Sequence, residues 1–477
     1  MAESRIRKGT VMEGLVRTTH FPNRGDVQII STEGEKPDGI GRVMVKNVLP
    51  GQRIRLRITK RRKDRCEGAL LEVTGRAPEE VASDCVHFPD CGGCLMRTLP
   101  YACQLELKEK QVREILESVC PQLPFEGILP SPDVNGYRNK MEFSFGDRNP
   151  GGPLELGLHR KGSFYDVLTT DRCQIVDEDF RLILRTVLNL AGTYGLPYYH
   201  KVRHEGYLRH LLIRKGRNTG QVLAALVTSS GFACPDQSKT EERFLAELTD
   251  ALTALDLKGK LTGLLHIRND RVSDTICPDE IRTLFGQDWF TEMLDGLSFK
   301  ISPFSFFQTN TAGAQVLYRK VCEYASARHG MNIFDLYSGT GTIAQMLAGV
   351  AGHVTGVEIV GEAVEAAREN AERNGLENCT FIAGDVLRVL DELEEKPDMI
   401  ILDPPRDGVH PKALKKIISY GVERMVYISC KVTSLARDLP VLREAGYRVE
   451  KCCCVDMFPA TANIETVVLL SRETPKE

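Results

Sequence analysis

The sequence predicts a doubly wound α/β domain preceded by a small β-barrel, with an α+β unit between them. From about residue 301 onward, strand and helix patterns alternate. NIFDLYS, TIAQMLAG, HVTGVEIV, GEAVEAARENAERNG, CTFIAGD, PDMIILDPP and MVYISC follow one another, the order of a parallel sheet with crossover helices. Residues 1–76 instead hold five short β-type runs (GTVMEGLVRT, RGDVQII, RVMVKNV, QRIRLRITK, GALLEVTG) punctuated by Gly, Pro, Asn and Asp. That spacing fits an OB-like barrel. The stretch 77–300 opens on a cysteine-rich loop and the helical pattern LELKEKQVREILESV, then mixes strands and helices with frequent Arg and His. Three units at 1–76, 77–300 and 301–477 also suit a 477-residue chain that is 42% apolar, at roughly 150 residues per domain.

Composition narrows the function classes. No segment approaches the about 20 apolar residues that span a bilayer, and MAESRIRKGTVMEG has basic residues with no apolar run behind them, so no secretory signal is expected. The expectation is a cytoplasmic protein with no membrane partner. The net charge of −3 conceals a division: residues 1–76 hold 17 Lys/Arg against 9 Asp/Glu, which leaves the other 401 residues at −11. Basic charge is densest in RIRLRITKRRKDR. At strand spacing Arg53, Arg55 and Arg57 share one face, which suits a phosphate-tracking surface as well as a charge-protected edge strand. The closing runs RVEKCCCVDMF and NIETVVLLSR read as an antiparallel edge hairpin.

In the alternating region, the strand Ile333-Phe334-Asp335-Leu336 runs into the turn Ser338-Gly339-Thr340-Gly341, and Glu358 ends the next strand. Glycines let backbone approach a ligand, and a carboxylate about 20 residues further on can bind ribose hydroxyls. Gly339, Gly341 and Ala344 also fit a dinucleotide fingerprint, which keeps a nicotinamide cofactor in view. Three features favour S-adenosylmethionine. Asp335 lies inside the first strand, where it can meet the methionine amine. Gly384-Asp385 follows the third strand, suited to the adenine edge. Asp403-Pro404-Pro405 follows the fourth, and two prolines remove two backbone donors, leaving the strand end open to a ligand.

Cys430 follows the strand MVYIS and precedes a helix. A thiol at a sheet's carboxyl edge, with a helix start to favour its thiolate, is a candidate nucleophile rather than a packing residue. Beside a methyl donor, a thiolate can add to carbon-6 of uracil and so make carbon-5 nucleophilic. A base must then take the carbon-5 proton, and Glu465 in DMFPATANIETVVLL is the candidate.

Cys85, Cys91 and Cys94 in CVHFPDCGGC leave five and two residues between thiols. In a chain of 15 cysteines with no secretory signal, such clustering points to a metal or cluster rather than to disulfides. Cys103, Cys120 and Cys173 are candidates for a fourth ligand, and zinc and iron-sulfur both remain open at this level. Radical chemistry is disfavoured, because the nucleotide cradle lies some 240 residues away. The triplet Cys452-Cys453-Cys454 alternates across a strand and reads as packing.

These residues resemble the RNA uracil-carbon-5 methyltransferases, and within them the iron-sulfur 23S rRNA branch. The resemblance spans essentially the whole chain, through SPFSFFQTN (302–310), DLYSGTGTI (335–343), DPPRDG (403–408), YISC (427–430) with LARDL (435–439), and DMFP with IET (456–459, 464–466). It implies a Rossmann-like S-adenosylmethionine domain, with Cys430 as covalent nucleophile and Glu465 as base. Gln308 and Asp403 would line the place where cofactor meets uracil, Tyr337 and Glu358 would contact S-adenosylmethionine, and Phe306 would lie against the displaced nucleotide. It further implies an RNA-binding TRAM-type barrel, a 4Fe-4S cluster on Cys85, Cys91, Cys94 and Cys173, ribosomal RNA as partner and a monomer. At least one of Phe304, Phe306 and Phe307 is expected in the core. Two positions depart from the family pattern: Lys431-Val432 stands where many relatives have Asn-Pro, and Asn463 where many have His.

Overall fold

The computed structural model describes residues 7–31, 42–62, 65–393 and 395–472. Lys63 and Asp64 of the basic run, and the first six residues, lie outside them. The first unit is a closed barrel of β1 (Val11–His20), β2 (Arg24–Ser31), β3 (Arg42–Lys46), β4 (Arg53–Arg62) and β5 (Arg65–Gly75), ordered β1-β2-β3-β5-β4 and closed by β1 against β4. Alternation builds it. In β4 the buried Ile54, Leu56 and Ile58 join Met12, Val16, Val27, Val43 and Val45 inside, while Arg53, Arg55 and Arg57 are exposed on the outer face. The barrel rests on α1 (Tyr101–Glu117), where Gln111 Nε2 donates to Thr19 Oγ1 at 3.0 Å.

After α1 come β6 (Phe125–Leu129), β7 (Lys140–Gly146), β8 (Glu155–His159), β9 (Val167–Thr169), α2 (Glu178–Tyr194), β10 (Leu208–Lys215), β11 (Gln221–Thr228), α3 (Glu241–Thr253), β12 (Lys260–Arg268) and β13 (Glu280–Gly286). Six of these strands and β13 form one sheet, ordered β13-β12-β11-β10-β7-β8-β9 once β6 is set aside. Helix α2 and helix α3 cover it through Phe180, Ile183, Leu184, Phe244 and Leu248. Local signals set α2 firmly. The Asp177 carboxylate accepts from Asp179 N–H at 3.1 Å at its start, and Gly195 at φ 62° ends it. The hairpin β14 (Phe290–Leu294) and β15 (Leu297–Ile301) leads into the last unit.

That unit contains α4 (Thr311–Ala325), β16 (Asn332–Leu336), α5 (Thr342–Ala348), β17 (His353–Glu358), α6 (Gly361–Arg373), β18 (Cys379–Ala383), α7 (Val386–Glu392), β19 (Met399–Leu402), α8 (Pro411–Ser419), β20 (Arg424–Ser429), α9 (Val432–Glu444), β21 (Tyr447–Val455) and β22 (Glu465–Arg472). The sheet order is β18-β17-β16-β19-β20-β22-β21-β6. Its first five strands are parallel, and the order reverses at β16, so a crevice opens at the carboxyl ends of β16 and β19. Both faces are covered: Ile333, Leu347 and Val467 belong to one core, and Phe334, Leu414 and Val468 to the other.

Two details differ from the sequence reading. The β21–β22 hairpin is present, but it is not the sheet edge, because β6 pairs parallel to β21. Strand β6 comes from within 77–300, so the segment assigned to the middle unit contributes to the last sheet and a division at residue 300 does not separate the two. Periodicity shows a strand and is silent on its partner. The cysteine triplet lies on β21 with Cys452 and Cys454 in one core and Cys453 in the other, the alternation that prevents these thiols from sharing an ion.

Candidate active site

Strand direction assembles the site. Cys430 follows the last residue of β20, and Glu465 is the first of β22. These strands are antiparallel with Ser429 opposite Thr466, so residues 35 positions apart meet at one sheet edge. The register Leu336↔Leu402 and Leu402↔Tyr427 brings the ends of β16, β19 and β20 side by side. One cleft is consequently lined by Gln308, Asp335, Tyr337, Gly339, Glu358, Asp403, Cys430 and Glu465, with Phe306 at its rim.

Its electrostatics are dominated by carboxyls in dry surroundings. Glu465 is pushed up to about 8, first by burial and then by Asp403, with Arg406 opposing. Burial also raises Asp403, to about 7. The Cys430 thiol is pushed up to about 11 by burial, Glu465 and Asp403, again with Arg406 opposing. The helix start after Cys430 was expected to favour its thiolate. Desolvation and two neighbouring carboxyls outweigh that dipole, and the resting thiol keeps its proton.

The cradle half of the cleft fits a cationic nucleoside. Asp335 is fully buried: its Oδ2 accepts from Ala344 N–H at 3.1 Å, and its Oδ1 has no hydrogen-bond partner. Burial, Asp403 and Glu358 push it up to about 8, so an ammonium group would satisfy both its charge and its free oxygen. Glu358 is oriented by two backbone donors, Gly339 N–H at 3.0 Å and Val360 N–H at 2.9 Å. Gly339 takes φ 55°, and Tyr337, although not glycine, takes φ 67°, which turns the chain sharply out of β16.

The predicted cofactor residues divide. Gly341 is required by the turn: at φ 73°, a Cβ there would sit 2.5 Å from the Phe381 ring, and it is not among the cleft-lining residues. Asp385 is exposed, does not line the cleft, and caps α7 by accepting from Leu387 N–H at 3.0 Å. It does stand beside Tyr337, whose hydroxyl is raised to about 12 by burial and then by Asp385. Among the SPFSFFQ aromatics, Phe307 is buried against Phe299, whereas Phe306 is 65% exposed beside Gly339. Sequence reasoning missed Tyr318 on α4, buried in the cleft wall close to Asp403, Glu465 and Asp335. It also assigned no role to Arg406, which stood in plain view within DPPRDG.

The four cysteines Cys85, Cys91, Cys94 and Cys173 line one small cavity separate from the cleft. Burial and the neighbouring thiols push Cys94 up to about 12 and Cys173 to about 11. Gly93 N–H donates to Cys91 Sγ at 3.4 Å. Among the described residues, no three ligating side chains close on a single-ion position. The thiols are spread around the cavity instead. Nor is any described helix long and apolar enough to cross a membrane.

Comparison with known proteins agrees with this geometry. The tRNA (uracil-5-)-methyltransferase family profile matches residues 281–473. An uncharacterized RNA methyltransferase of Clostridium acetobutylicum is 45% identical over 98% of this chain and 99% of its own. One from Halalkalibacterium halodurans is 32% identical over 94% and 97%. The crystal structure of the Pyrococcus abyssi tRNA (uracil-54, C5)-methyltransferase in complex with S-adenosyl-L-homocysteine superposes with a TM-score of 0.73, covering 96% of this chain and 100% of that one at 26% identity. The likeness to such relatives runs along nearly the whole length, and the chain belongs to the S-adenosylmethionine-dependent RNA (uracil-5-)-methyltransferases.

Proposed function

We propose that this enzyme methylates carbon-5 of a specific uridine in 23S ribosomal RNA through a transient bond between Cys430 and the pyrimidine. The antiparallel β20–β22 pairing carries the reading, because it sets one thiol and one proton acceptor at the mouth of the same cleft. Asp335, Tyr337, Gly339 and Glu358 would hold S-adenosylmethionine, which supplies an electrophilic methyl group. Cys430 gives up its proton to solvent, the thiolate sulfur adds to carbon-6, and the electron pair of the carbon-5–carbon-6 double bond makes carbon-5 electron-rich. Once carbon-5 carries the methyl, Glu465 accepts its proton, the sulfur–carbon-6 bond breaks, and Cys430 leaves as thiolate. Asp403 and Gln308 line the pocket where base and methyl meet, and Phe306 offers an exposed ring to the displaced nucleotide, a stacking contact worth about 1 to 3 kcal/mol.

The remaining parts fit an RNA substrate. The outward row Arg53, Arg55 and Arg57 supports a TRAM-type role for the barrel. Four thiols around one cavity, each more easily ionised beside a cation than beside another thiol, suit a 4Fe-4S cluster with a structural role. The enzyme would act as a monomer in the cytoplasm.

A second reading, transfer RNA as substrate with the same chemistry, is favoured by the Pyrococcus abyssi enzyme, which is named for a tRNA uracil and is similar over 96% of this chain. The barrel alone therefore does not separate the two, and the ribosomal reading rests on the motif set. Mapping 5-methyluridine in ribosomal and transfer RNA from cells with and without this protein decides between them. Loss of a 23S site is the expected result, and loss confined to transfer RNA overturns it.

A further inference from the structure

The turn that delivers Glu465 is held from beneath by residues far away in sequence. Lys108, in the middle of α1 and 1% exposed, donates to Asp456 Oδ1 at 2.6 Å, to the Phe458 carbonyl at 3.1 Å and to the Asn463 carbonyl at 3.0 Å. All three ammonium protons are used. They grip the turn between β21 and β22 at both of its ends, and Phe458 and Asn463 line the cleft.

The middle of the turn is clamped as well. Ala460 holds φ 64°, a left-handed conformation that a non-glycine residue keeps only when its surroundings impose it. Its N–H donates to Gln104 Oε1 at 2.7 Å, and its carbonyl accepts from Leu95 and Met96 N–H at 2.8 and 2.9 Å. Tyr137 donates to the Pro459 carbonyl at 3.0 Å, and Asn310 Nδ2 to the Met457 carbonyl at 2.8 Å. The partners come from the segment just after Cys94, from α1, from the entry to β7 and from the cap of α4.

Burying an ammonium–carboxylate pair is a poor route to stability, because desolvation of both charges offsets their attraction. Asp456 Oδ2 even lacks a partner. Such a pair fixes geometry, since three directed bonds leave the turn one position. Glu465 follows Asn463 by two residues, and a proton acceptor misplaced by about 1 Å loses much of its effect.

We propose that Lys108 is a positioning residue for methyl transfer: through Asp456, Phe458 and Asn463 it sets the aim of Glu465 at the cleft. This rests on the reading that Glu465 resolves a Cys430 adduct. The test compares Glu465→Gln with a Lys108→Met/Asp456→Asn double variant, which removes both charges together, on a uridine-containing RNA with S-adenosylmethionine. The double variant should fold, keep its RNA KM within about threefold, lose about 10² in kcat, and accumulate a slow-migrating protein–RNA adduct as Glu465→Gln does. A merely structural role would lower the melting temperature and the amount of active enzyme without trapping adduct.

Adduct with Glu465→Gln but none with the double variant overturns the positioning role. Absence of adduct in both removes the base assignment, and the proposal with it. Should the double variant fail to fold, Gln104→Met removes the hold on Ala460 N–H, together with a hydrogen bond to the Leu99 carbonyl, and leaves Lys108 and Asp456 in place. A several-fold rise in adduct then supports the proposal, and wild-type turnover without adduct overturns it.

Discussion

Arg406 donates a hydrogen bond to Asn463 at 3.2 Å, joining the loop after β19 to the turn that delivers the base. The same guanidinium lowers both Cys430 and Glu465 against their burial.

That contact sets a pH dependence. Both groups act deprotonated, and both are raised, so activity should climb with pH, crossing about 8 for Glu465 and continuing upward for Cys430. Arg406→Gln removes the opposing charge and should move the rising limb further alkaline. Single-turnover methyl transfer from pH 6 to 9.5 measures this; a flat profile in either protein contradicts it.

Cys430→Ala should abolish methyl transfer and leave no adduct, whereas Glu465→Gln should slow turnover by about 10² to 10⁴ and trap one. Denaturing electrophoresis with labelled RNA separates these outcomes. Residual turnover in Cys430→Ala would end the covalent mechanism.

Asp335→Asn should weaken S-adenosylmethionine binding by about 10-fold or more, the scale of one lost hydrogen bond to a charged group. Because the folded carboxyl is raised to about 8, its native charge is a penalty. That penalty is absent below the unfolded value near 4 and full above about 8, so stability falls as pH rises through this window. The Asn variant should therefore gain in melting temperature relative to wild type as pH increases from 4 to 8. Calorimetric titration and thermal melts across that range check both parts.

Replacing Arg53, Arg55 and Arg57 with Gln should weaken RNA binding and reduce the slope of log K against log salt by about 2 to 3, near one per lost phosphate contact. Arg55 already pairs with Glu72 at 3.1 Å, the one such ion pair of the three among the described residues, so its single variant should change the slope least. An unchanged slope in the triple variant takes the barrel off the RNA surface.

If the four thiols hold the proposed cluster, Cys173→Ala, at the proposed ligand most distant in sequence from the other three, should strip visible absorbance and bound iron from purified protein. Cofactor affinity should stay within about twofold, because the thiol cavity and the nucleoside cradle share no lining residue. Metal analysis and S-adenosylmethionine titration test the two halves independently.

Much of this could be read along the chain because the chemistry repeats at short range. The alternation of Arg53, Ile54, Arg55, Leu56, Arg57 and Ile58 dictates one wet and one dry face. The run from Asp335 to Gly341 dictates a strand, a tight turn and a helix start. Cys452, Cys453 and Cys454 follow the same rule and fall into opposite cores.

Other features escaped because they depend on what approaches from elsewhere. The helix start after Cys430 is a local signal favouring thiolate, and two carboxyls from other strands reverse it. Gly341 and Asp385 have the residue type and position expected for a cofactor, and only the fold shows that Gly341 packs against Phe381 and that Asp385 caps α7. Lys108 looks like a solvated helix lysine until Asp456 closes over it.

By itself, then, the order of residues determined the three textures of the chain, the cradle turn, and which thiol and which carboxyl are the candidates for nucleophile and base, since these follow from backbone preference and side-chain reactivity. Only the tertiary structure decided that β22 runs antiparallel to β20, that β6 closes the sheet, and that a buried lysine from α1 holds the turn between. Those outcomes arise from desolvation and from contacts between segments hundreds of residues apart, and a linear pattern has no term for either.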